Sequence, residues 1–296
     1  MIDESLRALG PVLVTGAAGR IGRAVVNRLQ DADVTVVGLD RRDPGDVDLV
    51  RFVVGDHTDL DTVARAAAPV EGVPIGAVVH LSAIPHPKLA EPEPLFRNNV
   101  VGTFAVLDAV LRGGARRAVI ASSVQASGTI NPASDPPAYF PIDEDLPICL
   151  SDAYALSKLV DEHTAAMLAR LYGATLVAFR FPYTQEAEGI ARTAARVRAH
   201  PEESMREGWA YLDVRDAAEA VAAALVAPLS GAHVLYVAAG NNIVGAPAAE
   251  LAARYAPQIP LKAELVGDQS LISSERARQL LGWSAHHLLR AEPTHA

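Results

Sequence analysis

Apolar positions along this chain follow two rhythms. Six short, nearly uniform apolar runs, at residues 11–14, 34–39, 51–54, 77–81, 118–121 and 175–179, have the length of strands buried on both faces. Between them apolar residues recur at helical spacing, as in Ile21, Val25 and Leu29. Helices are predicted over 20–29, from near 94 to about 111, and from 152 to about 172. On the last of these Leu156, Leu159, His163, Ala166 and Leu171 are among the positions expected to face inward. Strands of this kind alternating with helices make a parallel sheet covered on both sides. The right-handed crossover rule then gives an α/β, doubly wound, Rossmann-type fold.

After residue 179 the rhythm loosens. A helix is predicted at 213–226, a strand returning to the sheet at 233–237, short helices at 246–255 and 273–280, and a small strand at 261–265. The chain thus divides into a sheet domain over 1–180, rejoined by 213–240, and a small discontinuous C-terminal cap built from 181–212 and 241–285. Residues 286–296 lack periodicity and are expected to fray as a tail.

Composition narrows the class. With 296 residues, half of them hydrophobic, the chain can bury a full core. A net charge of −9 repels polyanions, and Arg112, Arg116 and Arg117 are too few to form a basic stripe, so no nucleic-acid partner is expected. Cys149 is the only cysteine, which excludes an intramolecular disulfide and fits a reducing compartment. The opening five residues are acidic and no run of eighteen uncharged apolar residues follows. Neither a secretory signal nor a membrane span is expected, and the cytoplasm is the default. His57, His86, His200, His286 and His287 show no metal-ligand spacing, so no metal is expected. Cys149 has no adjacent histidine and reads as inert.

Thr15-Gly16-Ala17-Ala18-Gly19-Arg20-Ile21-Gly22 ends the first strand and opens the first long helix. A glycine-rich turn in that context lets backbone N–H groups approach a pyrophosphate. Its bland alternative is a tight turn that binds nothing. Gly16 and Gly19 are the pyrophosphate candidates, with Gly22 assigned to close packing of helix on sheet. Asp40, at the end of the second strand, can accept from a ribose diol and would repel a 2′-phosphate, favouring NAD; Arg41 and Arg42 pull the other way. Asp56 follows the third strand, placed either to meet an adenine edge or to cap the helix before Leu60.

Tyr154 and Lys158 stand i and i+4 on one helical face. An ammonium beside a phenol stabilises the phenolate, which can take a proton from an alcohol as hydride leaves. Ser123 follows the fifth strand, at the sheet edge where ligands of this architecture bind. Alone, the Tyr/Lys pair would read as an exposed helical pair. His86 in the stiff Pro85-His86-Pro87 loop, Gln125 and Tyr183 are candidate substrate contacts, while His80 reads as a structural hydrogen-bonder.

As a set these motifs over about residues 10–285 resemble the extended short-chain dehydrogenases/reductases, also called the NAD-dependent epimerase/dehydratase family. Gly16, Gly19 and Gly22 match the family's Thr-Gly-x-x-Gly-x-x-Gly, and His80-Leu81-Ser82-Ala83 the segment beneath the cofactor. Asn99-Val100-Val101-Gly102-Thr103 matches its Asn-x-x-Gly-Thr helix, Ser122-Ser123 its serine strand, and Trp209 to Asp216 the segment where a cap strand meets the next helix. The resemblance implies an NAD-dependent enzyme with a dinucleotide-binding sheet domain and a substrate-binding cap. It implies Tyr154 as acid/base, Lys158 orienting it and touching the nicotinamide ribose, and Ser123 positioning a substrate oxygen. The implied cofactor set is Gly16, Gly19, Arg20, Ile21, Asp40, Asp56, His57, Leu81, Ser82, Ala83 and Asn99, with Tyr154 and Lys158.

Departures narrow the expected reaction. Val124 and Gln125 stand where the sugar dehydratases carry an Asp-Glu pair and where decarboxylating relatives need a glutamate. Arg180 is followed by Phe181-Pro182-Tyr183-Thr184, without the asparagine and Tyr-Gly-Pro of many nucleotide-sugar members. The pattern is closer to uronate and polyol dehydrogenases. A dehydrogenase acting on a small polar sugar- or polyol-like substrate is expected, with a cofactor-retaining epimerase as the alternative. The two long helices near 94–111 and 152–172 resemble those that pair subunits in the family, implying a homodimer.

Overall fold

The computed structural model describes residues 2–45 and 49–289. A short helix α1 (Ile2–Arg7) precedes β1 (Val12–Thr15), α2 (Arg20–Asp31), β2 (Val36–Asp40), β3 (Arg51–Val54), α3 (Leu60–Ala67) and β4 (Ala77–His80). Then come α4 (Pro92–Arg112), β5 (Arg117–Ser123), α5 (Ala153–Tyr172), β6 (Thr175–Phe181), β7 (Tyr183–Gln185) and α6 (Ala187–Ala199). The chain continues through β8 (Tyr211–Asp213), α7 (Val214–Val226), β9 (Ala232–Tyr236), α8 (Ala248–Tyr255) and α9 (Glu275–Leu281).

Seven strands form one parallel sheet in the order β3-β2-β1-β4-β5-β6-β9. The order reverses beside β1, which opens a crevice above its C-terminal end, where open α/β sheets take their ligands. Alternate residues of each strand feed two layers. Val12 and Val14 pack with α2 and α7, whereas Leu13 packs with Val106 and Leu107 of α4 and with Leu168 of α5. A third cluster gathers Ile190, Val197, Trp209, Tyr211, Leu251 and Leu271. It also draws in Val124, Phe140, Ile142 and Leu146 from the segment between β5 and α5, ahead of residue 180. The small parallel pair β7–β8 joins the layers.

Several expectations change. Helix α5 buries Tyr154, Ala155, Lys158, Asp161, Glu162, Ala165, Leu168 and Ala169, whereas Leu156, His163 and Leu171 are exposed and Leu159 and Ala166 half-buried. Apolarity misidentified the inward face because that face carries charges with partners on the sheet. Ser122 Oγ donates to Glu162 Oε1 (2.5 Å), and Arg180 reaches both Glu162 oxygens at 2.8 Å through Nε and Nη2. No strand forms over 261–265: Leu261 makes one isolated bridge to Phe140, and the next three residues are exposed with no strand to pair with. Residues 286–289 do not fray. The backbone N–H groups of His286 and His287 donate to the buried Asp216 carboxylate, and Leu289 N–H donates to the Tyr211 hydroxyl. The rest of the expected tail lies outside the described residues.

Removing one partner of a buried ion pair leaves a charge without compensation. Arg180→Leu is therefore expected to lower unfolding stability by about 3–5 kcal/mol, and Glu162→Leu combined with Arg180→Leu to recover most of it. Urea denaturation of the three proteins checks this. Equal stability of Arg180→Leu and wild type would refute it.

Candidate active site

The glycine-rich turn lies against the chain leaving β4. Gly16 sits at φ +69°, in the left-handed region that favours glycine. A Cβ on it would come 2.9 Å from the Leu81 carbonyl carbon and the Ser82 nitrogen. A Cβ on Gly22 would lie 2.0 Å from the Gly16 carbonyl oxygen, so helix and turn meet backbone to backbone. The α2 N-terminus, capped by Gly19, has no side-chain cap and no acid in its first turn. Helix-start N–H groups carry partial positive charge. Here Gly19, Arg20, Ile21 and Gly22 line a cavity of about 970 Å³. That combination fits a dinucleotide pyrophosphate.

Asp40 lines the same cavity, and its carboxylate braces the turn, accepting from Ala18 N–H (3.1 Å) and Arg42 N–H (3.0 Å). Arg41 and Arg42 line it too, but one Nη of Arg41 donates to Asp56 Oδ2 at 2.7 Å and to Asn98 Oδ1 at 2.6 Å. Asp56 also accepts from the Thr58 N–H and hydroxyl. It does not cap α3; Asp59 does, accepting from Thr62 N–H.

Behind the cavity wall runs a buried polar seam. The Thr15 hydroxyl meets His80 Nδ1 at 2.8 Å, and His80 Nε2 meets the Thr103 hydroxyl at 3.2 Å. Burial holds the His80 imidazole well below its ordinary range, with His57 and Lys158 adding to it. Burial likewise lowers His57 to about 4, Asp56 opposing and the Arg41 and Lys158 charges adding. Both rings are therefore neutral near pH 7. Asn99 is buried and structural: its Oδ1 accepts from Ile84 N–H, and its Nδ2 donates to the Ile84 carbonyl and the Ser157 hydroxyl.

Strand β5 runs two residues past its predicted end, so Ser122 and Ser123 lie in register with Arg180 and Phe181 of β6. Ser123 Oγ accepts from Gln125 N–H (3.1 Å) and opens a 3₁₀ turn. Helix α5 is capped by Asp152, which accepts from Ala155 N–H, and presents Tyr154 and Lys158 to the same cavity. Lys158 Nζ donates to the Ala121 carbonyl at 2.9 Å and to Asp161 Oδ2 at 3.2 Å. A phenol, a hydroxyl and an ammonium at the edge of a cavity that an uncapped helix terminus also faces can move a proton beside a bound dinucleotide.

The cavity gathers Gly16, Gly19, Arg20, Ile21, Asp40, His57, Leu81, Ser82, Ala83, His86, Ser123, Gln125, Tyr154, Lys158 and Tyr183. Among the expected site residues, Asp56 and Asn99 do not line it; they act through Arg41 and the 84 loop. Thr193, Arg196, Glu203, Ser204, Glu207 and Ile243 line it from the C-terminal side without having been singled out in the sequence. Arg196 is paired with Glu203 at 2.6 Å, and burial pushes the Glu207 carboxyl up, Arg196 opposing. Thr193 and Arg196 stand on α6, for which no helix was predicted, and Glu203, Ser204 and Glu207 on the turn after it. No helix among the described residues is long and apolar enough to cross a membrane.

Comparison with known proteins agrees with this geometry. The family model described as NAD dependent epimerase/dehydratase family matches residues 12–239. A UDP-glucose 4-epimerase from Corynebacterium glutamicum is 25% identical over 312 residues, covering 93% of this chain and 91% of that protein. Another, from Azospirillum brasilense, is 31% identical over 191 residues; the match takes in 62% of this chain but only 51% of that relative. Among solved structures, a short-chain dehydrogenase/reductase superfamily protein from Agrobacterium tumefaciens with bound NAD is similar at 26% identity and a TM-score of 0.69. That match covers 94% of this chain and 93% of the other. The chain belongs to the NAD-dependent epimerase/dehydratase family, as an oxidoreductase- or epimerase-type enzyme with NAD as its cofactor.

Proposed function

We propose that the chain is a dehydrogenase or reductase acting on a secondary alcohol or ketone of a small, polar, sugar- or polyol-like molecule, with Tyr154 as acid/base. The observation that carries this reading is that Ser123, Tyr154 and Lys158 face the same cavity as the uncapped α2 N-terminus. Bound NAD supplies the hydride acceptor at its nicotinamide. The N–H groups of Arg20 and Ile21 would hold its pyrophosphate, and Asp40 would accept from its adenosine ribose. Ser123 holds the substrate oxygen, Tyr154 takes or returns its proton, and Lys158 steadies the phenolate. His86, Gln125 and Tyr183 bound the substrate end. Phe181 to Thr184, lacking the nucleotide-sugar pattern, favour uronates, polyols or free sugars over nucleotide sugars.

A second reading, an epimerase that keeps its NAD, is favoured by the full-length similarity to a UDP-glucose 4-epimerase. The test is a panel of free sugars, uronates, polyols and nucleotide sugars incubated with NAD. Stoichiometric NADH release supports the dehydrogenase; a stereochemical change seen by NMR without net NADH supports the epimerase.

We also infer a homodimer. Val101 and Phe104 on α4 and Leu156, Met167 and Leu171 on α5 are large apolar side chains left exposed on two adjacent helices. Light scattering at micromolar concentration is expected to give a dimer mass, and Phe104→Glu with Leu171→Glu a folded monomer. A monomeric wild type would overturn the inference.

Cofactor choice follows from Asp40 and from the engagement of Arg41 by Asp56. Calorimetry is expected to find NAD bound more tightly than NADP. Asp40→Ala should weaken NAD by roughly tenfold, the scale of a lost charge-assisted hydrogen bond. Tighter NADP binding by wild type would sink the assignment.

Tyr154→Phe removes one hydroxyl and should lower turnover by about 10²-fold or more with NAD affinity unchanged. Lys158→Ala should lower both turnover and NAD affinity, because its role extends to the ground state. Wild-type turnover in a Tyr154→Phe protein with native circular dichroism would show that another group moves the proton.

A further inference from the structure

Helix α5 carries a buried acid that the proposed mechanism leaves unused. Asp161, 1% exposed, lies one turn after Lys158, and its Oδ2 accepts from the ammonium at 3.2 Å. Its Oδ1 has no hydrogen-bond donor among the described residues, although Thr103 of α4 interacts with the carboxylate. An ammonium has three donors. The Ala121 carbonyl takes one and Asp161 another, which leaves the third for the cavity that Lys158 lines.

We propose that Asp161 is the positioning residue for Lys158, fixing the direction of its one remaining donor and offsetting part of its positive charge at Tyr154. The proposal rests on the acid/base reading of Tyr154 and Lys158. Its physical ground is that a lysine side chain has many rotamers. Two fixed acceptors on opposite elements, a β5 carbonyl and an α5 carboxylate, hold the Nζ where one alone would let it swing. The electrostatic part follows from charge and spacing. Tyr154 and Asp161 are seven residues apart on one helix, a rise of about 10 Å. A carboxylate at that distance in a protein disfavours the phenolate.

The other groups around Asp161 do not supply this charge. His80 on β4 reaches it only through Thr103, and His80 and its neighbour His57 are both held neutral by burial. Glu162, the next residue, is taken by Arg180 of β6 and Ser122 of β5. Burial pushes the Asp161 carboxyl up, with Lys158 and Thr103 opposing.

Two variants separate positioning from charge. Asp161→Asn keeps an acceptor for Lys158 and removes the charge; Asp161→Leu removes both. The readouts are the NAD dissociation constant by calorimetry and the tyrosinate absorbance of the NAD complex against pH, each corrected with the matching Tyr154→Phe protein. Asp161→Asn is expected to bind NAD within about threefold of wild type, the scale of one neutral hydrogen bond, and to ionise Tyr154 about half to one pH unit lower. Asp161→Leu is expected to lose roughly tenfold or more in NAD affinity. Superimposable tyrosinate curves for wild type and Asp161→Asn overturn the proposal, as does unchanged NAD affinity in a folded Asp161→Leu protein. Should the leucine variant fail to fold, the asparagine variant decides alone. A wild-type complex whose tyrosinate absorbance owes nothing to Tyr154 would instead overturn the acid/base reading beneath it.

Discussion

Charge carried into the interior by one helix is the constraint on which this site depends. Each buried ion loses several kcal/mol of hydration, and α5 buries three, Lys158, Asp161 and Glu162. Asp161 is met by Lys158 itself, and the compensation of Lys158 and Glu162 comes from the last residues of β5 and β6. The Ala121 carbonyl meets Lys158, and Ser122 and Arg180, paired in register, meet Glu162. A rotation of α5 about its axis would separate all of these pairs. The charges therefore fix the phase of the helix, and with it the direction in which Tyr154 faces.

The same fact explains what could be read in the sequence and what could not. Strands whose residues are largely buried announce themselves by apolarity, so β1, β4, β5 and β6 began within a residue of expectation, as did the edge strand β3, which is only partly buried. The glycine turn was legible because its chemistry is local: a left-handed backbone at Gly16 and a backbone contact at Gly22 admit no side chain. That Tyr154 and Lys158 share one face was legible by spacing. The inward face of α5 was not, because a search for apolar positions finds Leu156 and Leu171, which are exposed, and passes over Asp161, which is buried. A charge beside a charge reads as a surface pair until the sheet that compensates it is in place.

The C-terminal side of the cavity was the least legible part, and the packing shows why. Its lining residues Thr193, Arg196, Ser204 and Glu207 stand on α6 and the 3₁₀ turn after it, Pro201–Glu207, whose support comes from distant chain. Trp209 Nε1 donates to the nearby Pro201 carbonyl, and Arg206 reaches the carbonyls of Thr129 and Ser134. The Arg206 contacts bridge segments more than 70 residues apart, and no local period encodes them.

The two motifs that stand far apart in the sequence are joined in the structure by side chains that neither motif advertises. Thr15, just before the glycine turn, accepts from Ser82 N–H and shares a hydrogen bond with His80. His80 meets Thr103, and Thr103 interacts with Asp161, which holds Lys158. Thr15, His80, Thr103, Asp161 and Lys158 are all buried. A polar group in such a place is costly unless it is partnered, so each residue constrains the position of the next. A helix-start glycine turn and the Tyr154/Lys158 pair, drawn from separate elements, are thereby held at a fixed distance across the crevice. A dinucleotide spanning that crevice needs both ends fixed, and a sheet edge alone, with side chains free to choose rotamers, would fix neither.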